Sequence, residues 1–180
     1  FETIKAENRT LKEYLDLTKK YTDYKTVAAD VISRDISNYS KTIVINAGTK
    51  SGIKEKMTVI ASDGLVGYVI SATDTTSKVQ TIIDSSSNTS SILSSSRDSV
   101  VCKGQLEQNN SLKAVYVPTD ATVAQGDSVE TSGLGGIYPK GIYIGKVSKV
   151  VNTSNLNDRY AMVETAVNFN KLETVLVITN

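Results

Sequence analysis

The side chains that could carry out chemistry are many serines, one cysteine and scattered carboxylates. The chain of 180 residues has no histidine, so it lacks the commonest general base near neutral pH and cannot form a Ser-His-Asp or Cys-His site. No recognisable motif activates a serine, and because Asp84, Asp127 and Glu130 are scattered, a paired-acid site has no support. The sequence therefore predicts no catalytic residue, no metal site and no enzyme activity.

Two other features receive structural interpretations. Cys102 lies in a predicted strand with no base or cation evident beside it, which favours a buried, unreactive thiol. As the only cysteine, it cannot form an intrachain disulfide. The run Gly133–Gly136 lacks the residues of a phosphate-binding loop and precedes no predicted helix, so it is interpreted as a shaped loop. No cofactor is expected.

Composition narrows the possible partners. The net charge is +1, which gives a weak electrostatic basis for binding nucleic acid or an anionic membrane surface. No run approaches about 18 consecutive apolar residues, the length of a membrane span. Because the sequence begins at Phe1 rather than at methionine, we expect that a membrane anchor precedes it in the whole protein.

The elements that must position any functional surface begin with a helix, predicted over residues 1–26. Apolar and small polar residues recur there at alternating steps of three and four, which is the spacing of a coiled-coil seam. Asn8 at a seam position would fix the register of two helices at some cost in stability. The alternative is one amphipathic helix packed on its own domain. The predicted dimerisation residues are Phe1, Ile4, Asn8, Leu11 and Leu15.

Residues beyond Lys25 show the alternation and the β-branched runs typical of strands. Short strands separated by turn residues, with no second amphipathic helix between them, predict a mainly β fold of the barrel or sandwich type. The candidate strands are Ala28–Ser33, Thr42–Asn46, Met57–Ala61, Leu65–Ala72, Lys78–Ile83, Thr89–Leu93, Ser99–Leu106, Leu112–Val117, Ser128–Thr131, Ile142–Val151, Ala161–Val167 and Thr174–Thr179.

An internal similarity predicts that these strands form two small six-stranded β-barrel-like subdomains. Each half has a glycine turn, a short strand, a second glycine turn and a strand with an interior glycine, at Gly67 and Gly145. An interior strand glycine often marks a bulge or a barrel corner. We expect the first subdomain at residues 27–90 and the second at 91–180, with the C-terminal strands able to return to the first. The serine-rich run 84–91 is interpreted as solvent-facing strand ends.

An ordered set of short motifs runs along the whole chain. It includes Glu7–Leu11, Ala28–Arg34 and Gly64–Val69, and it ends with Thr131-Ser132-Gly133-x-Gly135-Gly136-x-Tyr138-Pro139-x-Gly141. The set resembles the extracytoplasmic region of the rod-shape-determining MreC family over essentially all of the sequence. The resemblance implies a dimerising coiled coil and two small β-barrels that follow a single membrane span.

The resemblance also implies a function. Members of the MreC family are non-enzymatic scaffolds of the bacterial wall-elongation machinery on the outer face of the cell membrane. The implied partners are a second copy of the chain, a class B penicillin-binding protein that the scaffold binds and activates, and MreD and MreB through the anchor region. We expect a Gram-positive source.

An adaptor subunit of a transport system is the alternative, either periplasmic or extracellular. Such an adaptor normally inserts a long helical hairpin between two β halves. The only predicted helix lies at the N-terminus, which favours the scaffold.

The loop 132–141 is the predicted contact with the penicillin-binding protein. Its glycines permit close backbone approach, and Leu134, Ile137 and Tyr138 supply side chains that could anchor a partner. Tyr138 either packs within the loop or contacts the partner. The alternative is that the loop only closes its barrel and that binding occurs elsewhere, for example at an exposed strand edge.

Overall fold

The computed structural model describes residues 2–20, 23–37, 40–106, 108–155 and 158–180. Within these ranges one α-helix precedes twelve strands, and a short 3-10 helix, Thr49–Ser51, follows the second strand, so the fold is mainly β, as predicted. Helix α1 spans Glu2–Lys20, and the strands are β1 Thr26–Ile36, β2 Lys41–Ile45, β3 Thr58–Ile60, β4 Leu65–Ala72, β5 Ser77–Thr81, β6 Asn88–Leu93, β7 Ser99–Gln105, β8 Gln108–Val115, β9 Ser128–Thr131, β10 Tyr143–Val151, β11 Tyr160–Thr165 and β12 Thr174–Ile178.

The helix is shorter than the sequence pattern predicted. Helix α1 ends at Lys20, and Thr26 already belongs to β1. The β-branched pair Thr26 and Val27 favours an extended backbone over a helix, which accounts for the difference. Among the described residues, no helix combines the length and the apolar character that crossing a membrane requires.

The strands close into two six-stranded barrels, which confirms the predicted architecture. The first has the ring order β1-β12-β3-β4-β5-β2, and the second has β10-β11-β8-β7-β6-β9. All neighbouring strands within the two rings are antiparallel. Closure pairs both sides of every strand for part of its length, so neither barrel has the free edge of an open sheet.

The two barrels are related repeats that exchange one strand. If β4 is matched with β10, the rings correspond strand by strand, and β12 in the first ring takes the place of β6 in the second. After β5 the chain leaves the first barrel to supply β6 to the second. After β11 it returns to supply β12 to the first. Each run of six consecutive strands therefore gives its last strand to the other barrel.

This exchange moves the expected boundary between the subdomains. The first barrel consists of residues 26–81 and 174–178, and the second of residues 88–165. Residues 88–90 belong to the second barrel because β6 pairs with β7 and β9. The serine-rich run faces solvent only in part, since Ser85, Ser86 and Asn88 are exposed. Its buried residues are Asp84, Ser87, Thr89 and Ser91.

The repeated interior glycines mark the same place in both rings. Each lies between two register shifts of its strand, β4 or β10. A Cβ atom on Gly67 would lie 1.9 Å from the carbonyl oxygen of Gln80, and one on Gly145 would lie 2.0 Å from that of Glu164. The neighbouring strands β5 and β11 pass too close for any side chain, so the internal sequence similarity records a steric requirement of the barrel.

Alternate strand residues point inward and fill both barrels. The buried apolar side chains of the two barrels belong to one continuous cluster. Cys102 lies within it and is fully buried, which confirms its interpretation as a structural thiol. The cluster includes Ile43, Ile45, Val69, Val79 and Val175 of the first barrel, and Val100, Leu112, Val129, Val147 and Val163 of the second.

A buried lysine joins the two barrels. Lys41, at the start of β2, is 1% exposed. Its Nζ donates hydrogen bonds to the carbonyl oxygens of Gln105 (2.6 Å) and Gln108 (2.5 Å) in the second barrel, and its backbone N–H donates to Oδ2 of Asp84 at 2.8 Å. Burial lowers the pKa of Lys41, while the carboxylate of Asp84 acts to raise it. A buried ammonium group needs such partners, so its hydrogen bonds hold the barrels in one arrangement.

We expect Gly67→Ala and Gly145→Ala each to lower the free energy of unfolding by about 2–3 kcal/mol, because the added methyl group must force two paired strands apart. Gly126→Ala is the matched control, since φ is +92° but no atom lies within 4 Å of the added Cβ. Its expected cost is only the backbone strain of about 1 kcal/mol. Urea denaturation measures the free energy of unfolding of the three variants. Equal losses at the three positions would contradict the steric account.

Candidate functional site

The predicted dimerisation stripe of α1 is exposed along its described length. The side chains of Ile4, Leu11 and Leu15 are between 59% and 62% exposed, and Asn8 is exposed beside them. Phe1 lies outside the described residues. The helix contacts β12, and Leu11 lines a groove next to Val31 of β1, yet the barrels leave most of the stripe uncovered. Exposed aliphatic side chains aligned on one helix face are available to a second helix.

The loop 132–141 connects β9 to β10 and is pinned at its base. The hydroxyl of Thr131 donates to the carbonyl oxygen of Pro139 at 2.5 Å and accepts from the backbone N–H of Ile142 at 2.9 Å. Gly135 and Gly136 adopt φ of +88° and +76°, a region that other residues rarely occupy. The glycine-rich run is therefore a shaped loop, as interpreted from the sequence.

The loop is also fastened to the first barrel. The hydroxyl of Thr58 on β3 donates to the carbonyl oxygen of Ile137 at 3.2 Å. The ring of Tyr138 packs edge to face against Tyr68 on β4, with centroids 6.2 Å apart and an interplanar angle of 72°. Because Tyr138 is only 8% exposed, its side chain packs the loop and offers almost no surface to a partner. Its assignment as a partner contact is corrected accordingly.

The environment of Tyr138 keeps its phenol neutral. Burial raises the pKa of Tyr138, the neighbouring Tyr68 adds to the increase, and the hydroxyl of Thr89 acts in the opposite direction. Among the described residues, the hydroxyls of Tyr138 and Thr89 lack a hydrogen bond of good geometry. The side chain therefore serves packing between the barrels rather than proton transfer.

Leu134 and Ile137 are the apolar side chains that the loop exposes. Leu134 is 65% exposed and Ile137 is 37% exposed. A hydrogen bond of 3.2 Å from the backbone N–H of Leu134 to the hydroxyl of Ser132 supports this part of the loop. These two side chains stay the predicted contacts of a partner protein.

The arrangement offers surfaces rather than a reaction centre. Within the described ranges, no three side chains of the metal-binding types come together. Burial raises the pKa of the Cys102 thiol to about 11, against a hydrogen bond with Ser91 that lowers it, so the thiol stays protonated and unreactive at neutral pH. Sequence reasoning missed Lys41, Thr58 and the pairing of Tyr68 with Tyr138, because these contacts join residues of different barrels.

The family described as "Rod shape-determining protein MreC, barrel core" matches residues 31–179. The cell shape-determining protein MreC of Listeria monocytogenes is 34% identical over 150 residues, which cover 82% of this chain and 51% of that protein. The MreC protein of Bacillus subtilis is 30% identical over 187 residues, covering 98% of this chain and 64% of that protein. The chain thus spans about half to two thirds of the length of these relatives.

Solved structures of MreC proteins share the fold. One gives a TM-score of 0.90 at 22% identity and covers 97% of this chain and 98% of its own. The major periplasmic domain of the cell shape-determining filament MreC gives a TM-score of 0.72 at 23% identity, and the match covers 86% of this chain and 95% of that structure's chain. A chain in a complex between penicillin-binding protein PBP2 and MreC from Helicobacter pylori gives a TM-score of 0.63 at 16% identity, and the match covers 87% of this chain and 100% of that one.

The family match over residues 31–179, together with the two relatives, covers both barrels. The resemblance drawn from the ordered motifs is thereby confirmed. The chain belongs to the MreC family of rod shape-determining proteins.

Proposed function

We propose that this chain is the extracytoplasmic part of a non-enzymatic scaffold that dimerises through α1 and binds and activates a class B penicillin-binding protein in wall elongation. The observation that carries the proposal is the uncovered apolar stripe of α1 beside a double barrel of fixed shape. The relatives are cell shape-determining proteins, and an MreC protein of the same fold occurs in a complex with PBP2. Both facts support the proposal.

The helix supplies the self-association step. In a parallel pair, Ile4, Leu11 and Leu15 of one helix would cover the same residues of the partner helix, with Asn8 fixing the register. The stripe also includes Phe1 at its start. Isolated short helices are marginal in water, so the pairing requires the sequence upstream of this chain.

The loop 132–141 supplies the proposed contact with the penicillin-binding protein. Leu134 and Ile137 form its exposed apolar tip, while Tyr138 and Thr58 hold the tip against the first barrel. A tip held in one conformation costs little conformational entropy on binding. The contact therefore depends on both barrels, although both tip residues lie in the second.

The proposal also includes the location of the domain and its membrane anchor. The domain lies outside the cell membrane, in a Gram-positive cell, and a single-pass anchor upstream joins it to MreD and MreB. The periplasmic domain of an MreC protein shares the fold, which supports the location outside the cytoplasm.

The double substitution Ile4→Ser and Leu15→Ser is expected to dissociate the dimer of a chain extended by its native upstream sequence. Burial of each aliphatic side chain contributes about 2 kcal/mol, so the dissociation constant should rise about a hundredfold or more. Sedimentation equilibrium measures it. Thr3→Ser, on the same helix but off the seam, is the control and should leave the dimer intact. A wild-type monomer at the highest concentration, or a dimer that survives the double substitution, would remove the coiled coil.

Leu134→Ser is expected to weaken binding to the cognate class B penicillin-binding protein about tenfold, the effect of losing one exposed aliphatic anchor. Its thermal midpoint should stay unchanged because the side chain makes few intramolecular contacts. Tyr138→Ala should instead lower the free energy of unfolding by about 3 kcal/mol, since it empties a buried site. Surface plasmon resonance and thermal denaturation separate the two effects.

Leu106→Ser provides the matched control for the loop, because Leu106 is an aliphatic residue that is 53% exposed in a different turn of the second barrel. It should change neither affinity nor stability. If Leu134→Ser binds with wild-type affinity, or if Leu106→Ser weakens binding equally, the loop tip is not the contact surface.

A further inference from the structure

A row of lysines crosses four strands on the outer face of the second barrel. The register places Lys103 of β7 opposite Lys113 of β8, Lys113 opposite Met162 of β11, and Met162 opposite Lys149 of β10. The inward neighbours Cys102, Leu112, Ala114, Ala161 and Val163 are buried, so the row faces solvent. Adjacent strands lie about 4.8 Å apart, and the lysines therefore line up at intervals of one and two strand spacings.

Within the part of the chain that the structure describes, no ion pair relieves the electrostatic cost of this row. Like charges directly opposite each other on paired strands destabilise a sheet, and Lys103 and Lys113 are such a pair. None of the three lysines forms an ion pair with another described residue. In the neighbouring outward row, by contrast, Lys146 stands opposite Glu164. An anionic group from outside the chain would relieve the repulsion.

Two tyrosines hold the opposed lysines in place beside a groove. The Nζ atom of Lys103 lies 5.3 Å from the ring centroid of Tyr116, and that of Lys113 lies 4.3 Å from the centroid of Tyr160. Such cation–π contacts order the lysine side chains and leave their N–H donors available. All four residues line a groove of about 420 Å³, together with Val115, Thr153, Asp158 and Arg159. Lys103, Lys113 and Arg159 outnumber the one carboxylate, Asp158, so the lining stays positively charged.

Tyr116 occupies a strained backbone position. It adopts φ of +57° and is 71% exposed, although a bulky residue seldom takes a positive φ. Burial does not account for this conformation, and the contact with Lys103 leaves most of the residue exposed. Strain of this kind concentrates where a side chain is presented for binding.

We propose that this groove and the lysine row beside it bind an acidic polypeptide segment of a partner protein. The ammonium group of a lysine is a compact charge that donates hydrogen bonds to a carboxylate. It does not need the two parallel hydrogen bonds that an arginine makes with a phosphate. Met162 and Val115 place apolar surface between and beside the cations. A polypeptide can set carboxylates over Lys103, Lys113 and Lys149 and an aliphatic side chain over Met162, whereas a polysaccharide lacks the aliphatic side chain.

The test uses a fluorescently labelled, glutamate-rich peptide that contains valine, with glutamine replacing each glutamate in the control peptide. The whole chain should bind the acidic peptide at low salt, lose affinity as salt rises and ignore the control peptide. The double variant K103Q/K113Q should bind about tenfold more weakly. Its thermal midpoint should stay the same or rise, because the repulsion between the opposed lysines is gone.

The variant K54Q/K78Q is the matched control, since it removes two exposed lysines of the first barrel and changes the net charge equally. Its affinity should stay within about twofold of the wild type. Equal losses for the two double variants would overturn the proposal, and so would the absence of peptide binding at low salt. Tighter binding of polygalacturonate than of the peptide, with the same dependence on Lys103 and Lys113, would assign the groove to a carboxylated polysaccharide and also overturn it. If Tyr116→Gly binds the acidic peptide as tightly as the wild type does, the tyrosine ring does not contribute to binding.

Discussion

The first barrel closes only with a strand from the far end of the chain, whereas the second consists of the continuous run of residues 88–165. Strand β12 completes the first barrel between β1 and β3, and β6 completes the second between β7 and β9. The chain crosses between the barrels twice, once after β5 and once after β11. The pairings of β12 with β1 and β3 form only after the long intervening segment has closed as a loop. The second barrel is thus inserted between β5 and β12 of the first. Because each barrel is of marginal size for independent stability, we expect this insertion and the contacts between the barrels to make them one folding unit.

The contacts between the barrels convert this topology into a fixed shape. Lys41 reaches from β2 to the carbonyl groups of Gln105 and Gln108, while Tyr138 of the second barrel packs against Tyr68 of the first. Removing the ammonium group would leave two carbonyl groups without their partner, at a cost of about 1–3 kcal/mol each if they stay buried. The proposed scaffold role would need such rigidity, because the helix, the loop tip and the lysine row could engage partners together only if their separations are constant.

Local patterns predicted most of the fold but little of the site. The alternation of apolar and polar residues predicted strands at β4, β8 and β11. The repeated glycines, Gly67 and Gly145, indicated two barrels because the same close approach of a neighbouring strand requires each of them. The exposed apolar stripe of α1 was predicted from the alternating three- and four-residue spacing of its members. Lys41 received no role from the sequence, and Tyr138 stayed open between loop packing and partner contact, since the partners of both residues belong to the other barrel. The return of a C-terminal strand to the first barrel was expected as one possibility, but the departure of β6 to the second barrel was not, because strand pairing leaves no local signal in one sequence.

Native-state hydrogen exchange in Val175→Ala tests most directly whether the two barrels form one unit. Val175 is fully buried in β12 of the first barrel. The amides of Val69 and Val147 occupy equivalent, hydrogen-bonded positions in the first and the second barrel. If the barrels unfold together, the free energy of exchange falls at both amides by the same amount, about 1–3 kcal/mol. A loss confined to Val69, with Val147 protected as in the wild type, would show that the barrels are independent and would contradict the account.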